Sequence, residues 1–249
     1  MNIIYKPIDW YVEKLKNKEC FSFGMYGDGE WGFILGSLRE TQHGCPCPDG
    51  IKESLLFNSP NYYFSVAEVL KNAAWTGIGE DRMQKVLDEL KLDIEFHEKD
   101  MWDTEMKKGG LTSLIEQLRK MDVYLIGNQM LEGLTFLNPQ KIFGLDFPDW
   151  YTGEKMDVMV EKILAFGKPG VYMIAGGPAS CILTQRLHGK IPDSWVLHLG
   201  SIWDGFVGMG SMRGFRGEMY ADPTKHKAWA MSNLKGIVED WPFPTKFNP

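Results

Sequence analysis

Three short, largely apolar runs that stop at glycine constrain this chain more than any other feature: residues 21–26 before Gly27, 123–126 before Gly127, and 171–175 before Gly176. A fourth run, 195–199, stops at Gly200. Runs of this length and composition predict buried strands. Helical stripes alternate with them: Met83, Val86, Leu87 and Leu90; Leu111, Leu114, Ile115 and Leu118; and Ile182, Leu183 and Leu187, with Gly189 as a C-cap. Strands alternating with helices predict an α/β fold, a mainly parallel, Rossmann-like sheet with helices on both faces. In such sheets ligands lie outside the carboxyl ends of the strands, so the glycines are expected to line one crevice.

The remaining segments fill in around this frame. The spacing predicts helices over 8–19, 31–38, 51–57, 66–74, 128–136, 156–166 and 225–238, and strands over 61–65 and 141–145. Residues 94–110 are charged with balanced signs and end in a glycine pair, which predicts a solvated surface segment. Residues 1–249 show no internal repeat and no linker, so a single domain is expected.

The net charge of −6 excludes an electrostatic nucleic-acid binder, which needs a basic face. An acidic protein that handles phosphates needs a local cation, either a metal or a few placed Lys and Arg. No apolar run is long enough to span a bilayer, and no signal peptide is expected at the N-terminus. Four scattered cysteines do not make a disulfide framework, and the expected location is the cytoplasm.

The first glycine-ended strand runs into Gly27-Asp28-Gly29-Glu30. In extended chain, carboxylates two residues apart share a face, and such a pair suits Mn²⁺ or Mg²⁺ with phosphates and water completing the shell. Gly27 and Gly29 would let a diphosphate approach the backbone. Asp-Gly is also a common hairpin turn, in which case Glu30 is a solvated strand residue. Gly176-Gly177-Pro178-Ala179, between a strand and a helix, suits an anion or is simply a tight turn. His198 and Asp204 flank Gly200-Ser201; His198 is a ligand, a base or a structural histidine. Gln42 and Lys52 are polar residues within reach of the same crevice or on the surface. His43, Cys45 and Cys47 have the wrong spacing for a zinc knuckle. Residues 205–217 carry five glycines with Arg213 and Arg216, a lid that brings arginine to phosphate or a plain surface loop. There is no G-x-S-x-G and no full dinucleotide fingerprint.

Taken in order, Gly-Asp-Gly-Glu at 27–30, Gly36, Gln42, the leucine-bearing helix near Leu55, 123–127, Ala175-Gly-Gly-Pro-Ala179 and Leu199-Gly-Ser-Ile-Trp-Asp204 resemble the GT-D-type glycosyltransferases, formerly a domain of unknown function. The resemblance spans most of the chain between residues 19 and 204. It implies a Rossmann-like fold in which Asp28 and Glu30 hold Mn²⁺ or Mg²⁺ against a nucleotide-sugar donor, typically a UDP-sugar. Gly27, Gly29, Gln42, Gly127, Gly176, Gly177, Pro178, Ala179 and Ser201 would then line the donor site. His198 or Asp204 would stand near a glycan or glycoconjugate acceptor, as base or orienter. Members of that family have an acid in the last strand, where this chain has His198, and nothing in them matches the segment after Asp204. Two alternatives follow: a nucleotide- or sugar-phosphate-binding module without turnover, and a metal-dependent phosphohydrolase. Sugar, acceptor, stereochemistry and oligomeric state stay open.

Overall fold

A computed structural model describes residues 1–40, 44, 46–73, 77–145, 151–208, 222–239 and 241. Eight strands are described: β1 (Asn2–Ile4), β2 (Ser22–Tyr26), β3 (Tyr62–Val66), β4 (Glu95–Glu98), β5 (Val123–Gly127), β6 (Lys141–Gly144), β7 (Gly170–Ala175) and β8 (Ser194–His198). They form one sheet in the order β1-β4-β3-β2-β8-β7-β5-β6, with every pairing parallel. The expected mainly parallel sheet is therefore what the chain forms.

Side chains alternate along each strand and separate into two core layers. Phe21, Phe23 and Met25, with Val123, Leu125, Val171, Met173, Trp195 and Leu197, point to one face. That face is covered by α1 (Ile8–Lys16), α4 (Asp100–Lys108), α5 (Thr112–Leu118), α8 (Asp204–Val207) and α9 (Pro223–Asn233). The other face presents Tyr26, Phe64, Phe96, Tyr124, Ile126, Tyr172 and Val196 to α2 (Asp28–Ile34), α3 (Glu80–Glu89), α6 (Gly153–Phe166) and α7 (Ala179–Leu187). Residues 51–57, 66–74 and 128–136, expected as α-helices, contain short 3-10 turns at Glu53–Leu56, Glu68–Asn72, Gln129–Gly133 and Thr135–Leu137. No described helix is long and apolar enough to cross a membrane.

Two departures from the sequence expectation matter for the site. The segment 94–110 is not a solvated loop. It supplies β4, wedged between β1 and β3 with Phe96 and His97 buried, and then α4, which buries Met101, Trp102 and Met106. Its charges flank a narrow apolar stripe, which hides the stripe from a reading of charge balance. The second departure is α2, which begins at Asp28 rather than at Trp31. The acidic turn is thus neither a hairpin nor extended chain. It is the first turn of a helix.

The crevice at the end of the central strands

The site is built where the strand order reverses. β8 lies between β2 and β7. The chain leaves β2 into α2 and leaves β7 into α7, both on one face, whereas it leaves β8 toward α8 on the other. Diverging connections at neighbouring strand ends open a crevice, which is where ligands sit in open α/β sheets. The two flanking turns meet across it: a methyl group placed on Gly29 would lie 3.3 Å from Pro178 Cγ. The structure therefore brings together the acidic motif and the Gly-Gly-Pro-Ala motif, which are about 150 positions apart in the chain.

Within α2, Trp31, Phe33 and Ile34 are buried against β2, β3 and β4, and this apolar face outweighs the poor helix propensity of two glycines. Positions i and i+2 on a helix do not share a face. The geometry expected for Asp28 and Glu30 in extended chain is accordingly corrected: Asp28 is part-exposed at the helix start, while Glu30 is buried. Glu30 Oε2 accepts the Gly27 N–H at 2.8 Å, satisfying one of the orphan donors of the first turn. Burial raises the Glu30 carboxyl to about 7. Its backbone hydrogen bonds oppose that shift, Asp28 adds to it, and Lys99 works against it. A methyl on Gly27 would lie 3.1 Å from Glu30 Oε2 and 3.7 Å from Lys99 Cε, so glycine keeps this corner open.

His198 closes the floor. It is 1% exposed, and its Nδ1 accepts the Met25 N–H at 3.4 Å, which places the ring proton on Nε2. Cys181 Sγ, 3.7 Å from Nδ1, donates to the Met25 carbonyl at 2.9 Å. Burial, helped by the positive charge of Lys99, lowers the His198 imidazole to about 3. The ring is therefore neutral at physiological pH. Gly200 follows at φ +59, packed on Met25 Sδ, and the part-exposed Ser201 and Asp204 continue from it, joined by the Asp204 N–H donating to the Ser201 carbonyl at 3.2 Å.

Solved structures share this fold. A domain of unknown function 1792 with a distinct glycosyltransferase fold matches with TM-score 0.60 at 16% identity, over 88% of this chain and 82% of its own. Its selenomethionine form gives the same figures. A DUF1792 protein from Streptococcus sanguinis, described as a new glycosyltransferase, matches with TM-score 0.61 at 13% identity, over 100% of this chain and 95% of its own. This chain has their glycosyltransferase fold. The likeness falls on the same group that the sequence motifs resemble. No sequence pattern of a known family matches the chain, and no curated protein does.

On this glycosyltransferase fold the remaining sequence candidates divide. Gly176 is buried, and its carbonyl accepts from Tyr151 Oη at 3.3 Å. Gly177, at φ +66, is exposed and packs beside Tyr151 Oη, and Pro178 caps α7. Ala179 is fully buried in the helix–sheet layer. Gly127 has a packing reason of its own: a methyl there would lie 2.5 Å from the Ala175 carbonyl oxygen on β7. Gly127→Ala is expected to destabilise the fold by about 1–3 kcal/mol, because backbone must shift to admit the methyl. Urea unfolding checks this, and an unchanged midpoint would refute the packing role. Gln42, His43, Cys45, Arg213 and Arg216 lie outside the described residues; Gly205–Gly208 of the proposed lid instead close α8. Lys52 points to the surface, 3.8 Å from Glu89.

A divalent cation is implied by the Asp-x-Glu motif, and the donor chemistry fits one. Asp28 is a hard, part-exposed carboxylate in the first helical turn at the crevice, beside Gly27 and Gly29, while Glu30, on another face and holding the Gly27 N–H, would have to turn from that bond to join it. Among the described residues no cluster of three or more His, Cys, Asp or Glu exists, so phosphates and water would complete the shell. Sequence inspection missed Lys99 altogether. The alternation Glu95-Phe96-His97-Glu98 and the Met101, Trp102 and Met106 stripe were the signals for the elements that place it.

Proposed function

We propose that this protein is a glycosyltransferase that moves a sugar from a nucleotide-sugar donor, a UDP-sugar, to a glycan or glycoconjugate acceptor. The observation that carries this is the meeting of the β2–α2 and β7–α7 turns over β8, at Gly29 and Pro178. It supports a diphosphate held between the two turns, on the fold shared with the DUF1792 domains. Asp28 and Glu30 would hold Mn²⁺ or Mg²⁺, which when bound neutralises charge on the departing diphosphate. Gly27 and Gly29 let the donor close on the backbone, and Ser201 stands in the segment that follows β8. An imidazole lowered as far as that of His198 is a weak base. We therefore assign acceptor activation to Asp204, part-exposed in the segment that follows β8, and give His198 the task of fixing β2 against β8 through Met25.

The test is incubation with UDP-glucose, UDP-galactose and UDP-N-acetylglucosamine in Mn²⁺, with and without acceptor glycans, following free UDP. Release of UDP that rises with one acceptor is the expected result. Metal-assisted UDP binding with no release from any donor would instead make the protein a binding module. Inorganic phosphate liberated from UDP itself would make it a phosphohydrolase.

A further inference from the structure

Lys99 sits at the N-cap of α4, directly after β4. Glu98 folds back to take the first free N–H groups of that helix: Asp100 N–H donates to Oε1 at 2.6 Å and Met101 N–H to Oε2 at 2.9 Å. Lys99 thus makes no cap and adds a positive charge to the positive end of a nine-residue helix, where cations are disfavoured. Its side chain is only 16% exposed. The one ion pair described for it is Asp100, at 3.7 Å, too long for a hydrogen bond. Instead of turning to solvent the chain crosses the end of β3 toward β2, bringing Cε next to Gly27. Its charge is felt by both Glu30 and His198, on β2's helix and on β8.

We propose that Lys99 is the protein's own cation for the donor, its ammonium binding the diphosphate at the β2 end of the crevice. This rests on the nucleotide-sugar reading and deepens it. A partly desolvated ammonium at a helix N-terminus, with Asp100 held no nearer than 3.7 Å, is an arrangement that an incoming anion relieves. It would also explain how a chain of net charge −6 receives a polyanion. The competing explanation is that Lys99 serves only as a counter-charge for Glu30.

Calorimetric titration in Mn²⁺ of the wild type, Lys99→Met and Lys99→Arg with UDP, inorganic pyrophosphate and uridine separates these. Lys99→Met is expected to bind UDP and pyrophosphate about tenfold or more weakly, with uridine unaffected, and Lys99→Arg to recover most of the loss. A cooperative thermal transition shows that the variant is folded. UDP affinity within twofold of wild type in folded Lys99→Met overturns the proposal and leaves the donor reading standing. A counter-charge for Glu30 alone would give that result together with a lowered thermal midpoint. Wild type that binds neither UDP nor pyrophosphate overturns both.

Discussion

Asp28→Asn is expected to bind UDP about 100-fold or more weakly in Mn²⁺ while unfolding at nearly the wild-type temperature. The two effects differ because they come from different interactions. Asp28 stands part-exposed in the first turn of α2, where its charge stabilises the helix end by about 0.3–1 kcal/mol. Asparagine retains the size and loses that small term. As a proposed metal ligand Asp28 carries much more, since even partners one step removed from a metal contribute 10- to 100-fold in affinity, or about 1.4–2.8 kcal/mol. Titration with UDP in Mn²⁺ and in EDTA separates the two. Asp28→Asn that binds UDP as tightly as wild type in Mn²⁺ would remove Asp28 from the metal site. A variant equally weak in both buffers would show a role for the charge that has nothing to do with metal.

Mild acid should unfold this protein. Burial lowers His198 to about 3, His97 to about 4 and His226 to about 4, and it lowers His188 as well. Positive neighbours add to the effect, Lys99 at His198 and Lys6 with Lys14 at His97, while a hydrogen bond to the Gly205 carbonyl opposes it at His226. Each group is near 6.5 once unfolded, so between about pH 6.5 and 3 the unfolded chain binds more protons than the fold. Stability is then present above 6.5 and lost as pH falls. At pH 4.5 each imidazole accounts for roughly 2–3 kcal/mol at most, so together they remove a sizeable share of the stability of an ordinary domain, about 5–15 kcal/mol. Glu30 runs the other way, since its raised carboxyl favours the fold below about 4.5 and loses that contribution as pH rises through 7. Glu98, also raised by burial, acts in the same direction as Glu30, and these two carboxyls do not offset the imidazoles. Urea midpoints measured from pH 7.5 to 4.5 should fall steeply, and His198→Gln should flatten the profile. A flat wild-type profile would contradict the burial of these rings.

What the sequence disclosed followed the physics of burial. β5 and β7 announce themselves because both faces are covered, leaving unbroken apolar runs at 123–126 and 171–174. β4 gives no such run: only Phe96 and His97 are buried, and Glu95 and Glu98 bracket them. β1, three residues at the edge, has less still. At the site, the place of the acidic turn was legible from its glycines and from the strand before it. Its conformation was not, because the helix there depends on Trp31, Phe33 and Ile34 finding distant strands rather than on local propensity. Lys99 was invisible for the same reason, being positioned by a strand and a helix whose apolar content is too sparse to read.

The contact between Met25 and His198 joins residues 173 apart in the chain. During synthesis the acids of α2 leave the ribosome long before β8 exists to lie beside β2. Nearly four-fifths of the polypeptide must be made, and β5, β6 and β7 laid down, before the two halves of the sheet can close. Loop closure over that distance is slow, and until it happens the edges of β2 and β7 are bare. The crevice proposed for the donor is therefore completed late, and a chain stopped before residue 194 carries every acid of the motif and no crevice to put them in.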